Sequence, residues 1–278
     1  MPYKMLVVDL DGTLLRDDKT ISEENVRAIQ DAHNCGLAVV LATGRPPVGA
    51  RHALSRLAPA ANEYLISYNG ALTTDLQTGQ ILAVHELTRR HFDMLAPYLQ
   101  QRNLYCYAFS RDICLAPAPH PIIEAEHAFN GIDTAVVDFA RLPPDEPFIK
   151  IMATGDPDQL VRVHRQLPAE WLKAYQVVQS APVLLEFLNP LAGKGQAVQA
   201  LCRHLGFSAQ DVICIGDAGN DMDMVAWAGL GVAMGNAVES LRELADHITD
   251  TNENHGIARV IQRFVFPQDP CPAADKAP

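Results

Sequence analysis

Several features that would define a protein's class are missing from this 278-residue chain. No apolar run reaches the roughly 18 residues that a membrane-spanning helix needs. The first residues, Met1 to Leu15, are interrupted by acids, which is not typical of a signal peptide. Basic residues are also scarce, because 22 lysines and arginines stand against 33 acids, for a formal charge of −11. These absences predict a cytoplasmic protein with no membrane or nucleic-acid partner.

The cysteines lack the spacing of a metal or redox site. No two of them form a C-x-x-C pair, and most stand inside apolar segments. Buried, reduced thiols are therefore expected, and a disulfide framework or a zinc site is set aside. The cysteines are Cys35, Cys106, Cys114, Cys202, Cys214 and Cys271.

Apolar residues are plentiful, at 48% of the chain, and one short apolar segment is the most informative. In MLVVDLDGTLL, Met5 to Leu15, Asp9 and Asp11 interrupt the run. Residues two apart in a strand point the same way, with roughly 6–7 Å between them. At an effective dielectric constant of about 20, two ionised carboxylates at that separation repel each other by about 2–3 kcal/mol. Either a bound divalent cation or a proton held by one acid would offset this repulsion, and both predict a functional site.

The order of the apolar segments predicts an α/β fold with a doubly wound parallel sheet. The opening strand is followed by a helical pattern with Ser22 as N-cap, and then by LAVVLATGR, Leu37 to Arg45. Strand, helix and strand form a βαβ unit, and continuously apolar strands are typical of parallel sheets covered on both faces. Further strands are predicted at Tyr64–Ala71 and Asp211–Asp217.

A second domain is predicted between the two halves of this pattern. From Asn69-Gly70 onward the sequence changes to short β-rich pieces that look like a hairpin, followed by mixed helices and strands with proline-rich connections. We therefore predict a core domain over residues 1–84 and 185–266, with an inserted smaller α/β cap domain over residues 85–184. The proline-rich tail, residues 267–278, is predicted to be disordered.

Acidic side chains follow two of the predicted core strands. Asp9 and Asp11 end the first, and Asp217 ends the strand DVICIGD. Ligands bind at the carboxyl ends of the strands in doubly wound sheets, so these acids should converge. Together they would form a small oxygen-rich site that suits Mg²⁺.

Groups that suit a phosphoryl ion stand at the same predicted edge of the sheet. Thr43 offers a hydroxyl, Gly44 a closely approaching backbone N–H, Lys194 a positive charge and Asn220 an amide. Beside a metal-bound phosphate, one carboxylate can act as nucleophile while another protonates the leaving oxygen and then activates water. These residues predict phosphoryl chemistry.

The motifs DLDGTLL, ATGR, GKG and GDAGNDMDM resemble, in this order, the four motifs of the haloacid dehalogenase-like hydrolases. The segments YNGA and GVAMGNA are similar to those of the Cof-type sugar-phosphatase branch, which carries its cap domain between the second and third motifs. The resemblance runs from Met5 to about Val265. It implies a Mg²⁺-dependent phosphatase that hydrolyses a small phosphorylated metabolite, a sugar phosphate, through an aspartyl-phosphate.

Carried over position by position, the resemblance implies a role for each matching residue. Asp9 would be the nucleophile, and Asp11 would be the general acid/base and would also bind Mg²⁺ through its backbone carbonyl. The other implied roles are metal binding by Asp9 and Asp217, orientation of the metal's waters and of Lys194 by Asp221, and phosphate binding by Thr43, Lys194, Asn220 and the backbone N–H of Leu10.

Other functions stay open. A phosphoryl transferase or mutase of the same fold would share every motif. A sugar-phosphate-binding regulator without turnover is a further alternative, although such a protein need not keep both Asp9 and Asp11. Arg45 is equally suited to bind substrate or to pair with a nearby carboxylate. The sequence does not indicate which phosphorylated compound is the substrate, which cap residues select it, the oligomeric state or the physiological role.

Overall fold

The computed structural model describes residues 3–58 and 64–266, which form an α/β structure built on two large sheets. The predicted fold class is therefore confirmed. The predicted disordered tail, residues 267–278, lies outside the described residues. Across the described ranges, no helix is long and apolar enough to cross a membrane.

The larger sheet, the core sheet, has β1 (Met5–Asp9) at its centre, paired in parallel with β14 (Val212–Gly216) and β2 (Ala38–Ala42). All five residues of β1 are buried, as the continuous apolar run predicts for a strand covered on both faces. The predicted hairpin is the antiparallel pair β4 and β5 at one edge of this sheet. In spatial order, the strands are β16 His247–Ile248, β15 Leu230–Ala233, β14 Val212–Gly216, β1 Met5–Asp9, β2 Ala38–Ala42, β3 Tyr64–Ser67, β4 Leu72–Asp75 and β5 Ile81–Val84.

The second sheet, the cap sheet, is antiparallel except for its last pair, β8 and β9. In spatial order its strands are β12 Gln176–Ala181, β13 Leu184–Leu188, β11 Lys150–Thr154, β7 Tyr105–Phe109, β8 Ile113–Ala116 and β9 Asp133–Val136. A separate two-stranded ribbon pairs β6 Leu87–Thr88 with β10 Pro147–Phe148.

The first helix shows how local sequence sets the helix ends. The Ser22 side chain accepts the backbone N–H of Asn25 at 3.2 Å, and Gly36 follows the helix with a φ of 91°. The α-helices are α1 Glu23–Asn34, α2 Pro47–Leu57, α3 Arg89–Gln100, α4 Pro121–Asn130, α5 Pro157–Arg165, α6 Ala169–Ala174, α7 Lys194–Leu205, α8 Met222–Trp227, α9 Glu239–Leu244 and α10 Gly256–Val260, the last continuing into a π-helical turn at Ile261–Val265.

The chain leaves the core sheet after β5 and returns to it after β13. The two connecting segments lie side by side, because the Asn189 side-chain amide donates a hydrogen bond to the carbonyl of Glu86 at 2.9 Å. β13 ends at Leu188 and belongs to the cap sheet, so it crosses the boundary predicted between residues 184 and 185. We propose that the cap extends through Leu188, while the entry near residue 85 stays as predicted.

Apolar packing forms separate clusters in the core and the cap. One cluster combines residues between Met5 and Ile66 with residues between Ala197 and Val265, and another lies wholly between Leu87 and Phe187. A third cluster joins the two parts, with Tyr68 and Leu72 of the core packed among Tyr107, Phe109 and Leu188 of the cap. This joint cluster holds the cap sheet over one edge of the core sheet.

Four cysteines match the expectation of buried thiols, whereas Cys35 is half-buried. Cys106, Cys114, Cys202 and Cys214 are buried and free. Burial in apolar surroundings raises the pKa of the Cys202 thiol to about 11, which favours the unreactive protonated form. Cys271 lies outside the described residues.

Candidate active site

Adjacent parallel strands bring the predicted acids together. Asp9 is the last residue of β1, and Asp217 directly follows β14, the strand that pairs with β1. Thr43 follows β2 on the other side of β1. Because the three strands run in the same direction, their carboxyl ends lie at one edge of the sheet.

Lys194 lies beneath this edge as the first residue of α7, with no exposed surface. Its ammonium donates to a carboxylate oxygen of Asp9 at 2.5 Å and to Oδ1 of Asp221 at 2.6 Å. Burial alone would lower the pKa of Lys194, but the charges of Asp221 and Asp9 raise it above its usual value. The lysine is therefore a permanent positive charge held between two acids.

The acids around Lys194 outnumber it. Burial, followed by the charges of Asp221 and Asp217, raises the pKa of Asp9 well above its usual range despite the neighbouring ammonium. Burial and the charge of Asp221 likewise raise the pKa of Asp217 to about 6. Both shifts have one physical cause, a partly buried excess of negative charge that a proton or a cation would relieve.

A tight turn after β14 sets the position of Asp221. Its Oδ2 accepts the backbone N–H groups of Asp217 and Ala218, both at 3.0 Å, across the 3-10 turn Gly219–Asp221. A Cβ atom at Gly216 would lie 2.4–2.6 Å from the Asp221 side chain, so only glycine fits there. Glycine at position 216 is therefore required for the Asp221 side chain to approach the backbone of Asp217 this closely.

The oxygen donors of this edge fit a small divalent cation. Asp9, Asp217 and Asp221 each offer a carboxylate oxygen, and these oxygens lie within 4.8 Å of one another. Hard cations such as Mg²⁺ prefer such all-oxygen sets. Both oxygens of Asp221 already accept hydrogen bonds, one from Lys194 and the other from the backbone. Direct coordination is therefore favoured for Asp9 and Asp217, with Asp221 orienting Lys194 behind them.

Asp11 lies apart from this group and pairs with basic side chains. Arg45 donates from Nε and Nη2 to the two oxygens of Asp11, each at 2.6 Å, and Lys19 donates at 3.0 Å. Burial alone would raise the pKa of Asp11, but the hydrogen bonds and charges of Arg45, and then of Lys19, hold it below its usual value. Of the two roles considered for Arg45, the structure shows pairing with a carboxylate.

The residues after β2 and β3 support one another. Thr43 is buried, and its side-chain Oγ accepts a hydrogen bond from the backbone N–H of Arg45 at 3.1 Å. The Thr43 carbonyl accepts a hydrogen bond from the backbone N–H of Asn69. A Cβ atom at Gly44 would lie 3.0 Å from the Asn69 amide. Asn69 in turn accepts a hydrogen bond from the Asn220 side chain at 2.9 Å. The predicted phosphate-binding residues Thr43, Gly44 and Asn220 are therefore gathered around Asn69.

Leu10 lies between the two acids, with its side chain buried in the core. Its carbonyl accepts the N–H of Leu15 at 2.8 Å, which closes the turn after β1. Phosphate binding by the backbone N–H of Leu10 stays a prediction.

A cavity of about 720 Å³ lies between the core and the cap. We call its core side the floor, formed by Asp9, Asp11, Thr43, Arg45, Asp217 and Asn220, with Lys194 buried beneath it. We call its cap side the roof, formed by Glu126, Phe129, Asn130, Lys150, Met152 and Glu186 together with strand β12. The volume matches that of small-molecule sites.

Comparison with known proteins identifies the family. A family model described as haloacid dehalogenase-like hydrolase matches residues 6–261 of this chain. The chain belongs to the haloacid dehalogenase-like hydrolases. It is 35% identical to YxeH of Bacillus subtilis (strain 168) over 269 residues, which cover 95% of this chain and 99% of YxeH.

Two further relatives of this hydrolase are informative. It is 30% identical to the 5-amino-6-(5-phospho-D-ribitylamino)uracil phosphatase YcsE of the same organism, covering 95% of this chain and 96% of YcsE. A crystal structure of a haloacid dehalogenase-like hydrolase from Bacteroides thetaiotaomicron superposes with a TM-score of 0.83 at 29% identity, covering 94% of this chain and 99% of that one. The predicted family is confirmed, and the chain is an enzyme whose relatives are named as phosphatases.

The roof of this hydrolase contains functional candidates that sequence reasoning missed. Lys150 and Glu186, on the adjacent strands β11 and β13, are 5% and 3% exposed and pair at 3.1 Å. The Asn69 side chain lies 3.5 Å from Glu186 and so connects the roof to Asn220 on the floor. A charged residue inside an apolar strand, as in FIKIMAT and LLEFL, was the available signal, because lysine and glutamate are rarely buried without a partner.

Glu126 is the other buried acid of the roof. It lies on α4, is 7% exposed, and accepts hydrogen bonds from the Tyr107 hydroxyl at 2.7 Å and the Asn130 amide at 2.8 Å. In the sequence it stands in EAEH, close to a second glutamate and a histidine, so its immediate context resembles that of an ordinary exposed glutamate. Only the packing of α4 against the cap sheet reveals its burial.

Proposed function

We propose that this chain is a Mg²⁺-dependent phosphatase that hydrolyses a small phosphorylated metabolite, a sugar phosphate, through an aspartyl-phosphate on Asp9. The observation that carries the proposal is the position of Asp9. It is a buried carboxylate that contacts Lys194, stands beside Asp217 and Asp221, and opens into a cavity between core and cap. Phosphoryl transfer requires mainly positioning and neutralisation of charge, which such a group of residues supplies.

Asp9, Asp217 and the backbone carbonyl of Asp11 would hold the cation, and Asp221 would orient its surroundings. When bound, Mg²⁺ supplies positive charge that neutralises the acids and the phosphoryl oxygens. The excess of buried carboxylates over Lys194 supports this assignment.

In the first chemical step, a carboxylate oxygen of Asp9 forms a bond to phosphorus while the bond from phosphorus to the leaving oxygen breaks. Lys194 holds Asp9 in place and favours its ionised form against the effect of burial, because its ammonium contacts a carboxylate oxygen of that residue. Thr43 and Asn220 would bind the phosphoryl oxygens from the floor. Asp11 would give a proton to the leaving oxygen, so that an alcohol departs.

In the second step, Asp11 accepts a proton from a water molecule that attacks the phosphorus of the aspartyl-phosphate, which frees Asp9 and inorganic phosphate. For the first step Asp11 must carry a proton, yet Arg45 and Lys19 favour its ionised form. A phosphate dianion on the floor is a competing partner for both cations. We therefore infer that substrate binding draws Arg45 and Lys19 away and allows Asp11 to bind a proton.

A sugar or polyol leaving group is supported by the polarity of the roof. Buried charged and amide side chains face the cavity there, and such groups need hydrogen-bonding partners on a ligand. The relative YcsE is named as the phosphatase of a compound with a phospho-D-ribityl group. The cytoplasmic location stays a prediction.

The test is phosphate release from a panel of sugar phosphates, nucleotides and pyridoxal phosphate, with Mg²⁺ or with a chelator. We expect metal-dependent release, and a loss of about a thousandfold or more in Asp9→Asn because the nucleophile is removed. Thermal unfolding gives a readout that is independent of activity. Mg²⁺ at about 100 times its Kd should stabilise the wild type by about 2.7 kcal/mol, and this gain should be lost in Asp217→Asn.

Asp31→Asn is the matched control, because Asp31 is an exposed aspartate on α1, away from the cavity. It should keep both the activity and the response to Mg²⁺. Transfer of phosphate to an alcohol in preference to water would identify a transferase. If a sugar phosphate stabilises the fold but no compound releases phosphate, the chain is a binding protein and the proposal is wrong.

A further inference from the structure

The roof of the cavity has more negative than positive charge. Among the roof residues named above, Glu126 and Glu186 are acids and Lys150 is the basic residue. All three are nearly buried, with exposures of 7%, 3% and 5%. They come from α4, β13 and β11, so rigid elements rather than loops position them.

The two acids have different partners. Glu186 is compensated by Lys150 at 3.1 Å, and the Lys150 ammonium also lies 4.9 Å from the centre of the Phe109 ring. Glu126 is bound by neutral groups, the Tyr107 hydroxyl and the Asn130 amide. A buried carboxylate that faces a cavity without a cation beside it repels any anion that enters, and it attracts hydrogen-bond donors.

Beyond the phosphatase activity, and resting on it, we propose that Glu126 and Glu186 select a neutral, hydroxyl-rich leaving group and reject a second anionic group. Each carboxylate oxygen can accept more than one hydrogen bond, so both acids have acceptor capacity left for hydroxyl donors. A carboxylate or a second phosphate at the far end of the substrate would meet Glu126 in a partly desolvated space. Lys150 cannot attract it effectively, because Glu186 already balances the lysine's charge.

The floor does not show the same preference. Three basic groups stand among the acids of the floor, because Arg45 and Lys19 pair with Asp11 and Lys194 lies between Asp9 and Asp221. The cation of the proposed function would neutralise the remaining acids, so a phosphoryl group can bind there. One anionic group is therefore accepted at the floor and a second is excluded at the roof. This division defines the substrate class as monophosphates of neutral sugars or polyols.

Glucose 6-phosphate and 6-phosphogluconate are related probes, because the second is the first oxidised at C1, which places a carboxylate at the end remote from the phosphate and opens the ring. Phenyl phosphate serves as a third probe that has no hydroxyl groups on its leaving group. We expect wild-type kcat/KM with Mg²⁺ to be at least about tenfold higher for glucose 6-phosphate than for either of the others. In Glu126→Gln, which removes the charge and keeps the shape, the preference over 6-phosphogluconate should fall by about tenfold.

Glu124→Gln is the matched control, since Glu124 is exposed on the same helix, two residues from Glu126. It should keep all three values of kcat/KM. Glu186→Gln is a second variant, for which we also expect better acceptance of 6-phosphogluconate because the Lys150 charge is no longer balanced. It covers the case in which Glu126→Gln fails to fold.

The outcomes separate the two proposals. If no compound of this set or of the wider panel releases phosphate in a metal-dependent reaction, the proposed function itself is wrong. If phenyl phosphate or 6-phosphogluconate is hydrolysed as well as glucose 6-phosphate, the phosphatase stands and the selection by the roof is overturned. Equal changes for all three probes in both glutamine variants would overturn it too, because they would indicate a structural role for the two acids.

Discussion

Two buried lysines distinguish the floor of the cavity from its roof. Lys194 lies between two carboxylates at the start of a helix, and Lys150 pairs with a single carboxylate at the start of a strand. The first is part of a short glycine-containing motif directly at the chemical centre, while the second stands alone in an apolar segment. Under the proposed function, the floor would hold charge for the reaction and the roof would balance charge around the ligand.

The sharpest test of this difference is Lys194→Met. It leaves Asp9 and Asp221 buried without their cation, so we expect a loss of about 3–5 kcal/mol in the free energy of unfolding. Phosphate release should also fall by several orders of magnitude, because the nucleophile loses its contact. Urea denaturation and the phosphate assay measure the two effects.

Lys4→Met provides the matched control for that variant. Lys4 forms an ion pair with Asp211 at 3.0 Å, but its side chain is 53% exposed. Exposed pairs contribute only about 0–1 kcal/mol, so stability and activity should both stay close to the wild type. If the two variants lost the same free energy of unfolding, burial of the Lys194 ion pairs would not add to their contribution to stability.

Lys150→Met should have the next largest effect. The Glu186 carboxylate loses its cation but keeps the weak contact with Asn69, so we expect a loss of about 3 kcal/mol in stability, the lower end of the range for a broken buried ion pair. The double variant Lys150→Met/Glu186→Gln should lose less than the sum of the single variants, since the two residues interact. A double-mutant cycle by urea denaturation measures this coupling. If the losses are simply additive, Lys150 and Glu186 do not interact, and the described charge balance in the roof is wrong.

The smallest expected effect is that of Gly216→Ala on the floor. The new methyl group would overlap the Asp221 side chain, and the adjustment should cost about 1–3 kcal/mol. It should also displace Asp221 from Lys194 and lower phosphate release. Gly219→Ala is the control, because a Cβ atom there has no neighbour within 4 Å, and we expect a change within about 0.5 kcal/mol. Equal thermal unfolding of the two variants would contradict the tight approach of Asp221.

Much of the floor could be predicted from the sequence because its residues directly follow buried strands. Asp9 ends an apolar run and Thr43 follows another, so the parallel sheet itself brings them together. The structure places Lys194 and Asp221 beside Asp9, although their chemical roles stay predictions until variants are measured. Arg45 could not be assigned from sequence, since its partner Asp11 lies 34 positions away in the chain.

The roof could not be predicted from the sequence for a physical reason. Glu126, Lys150 and Glu186 are single residues on different elements, and no short motif links them. Their burial depends on how the antiparallel strands pair and on where α4 packs, which are contacts between distant parts of the chain. The proposed extension of the cap through Leu188 rests on the same kind of contact, because the sequence of the apolar strand Leu184–Leu188 does not indicate which of the two sheets it joins.

Because the connections at Glu86 and Asn189 lie side by side, the cap is one continuous insertion in the chain of the core. The chain leaves the core and comes back at almost the same place, so the core's path does not depend on what lies between. A different cap could be spliced between these two points while the strands that carry Asp9, Thr43 and Asp217 keep their register. Under the proposed function, leaving-group preference can therefore diversify by exchange of one contiguous gene segment, without any change to the proposed catalytic residues.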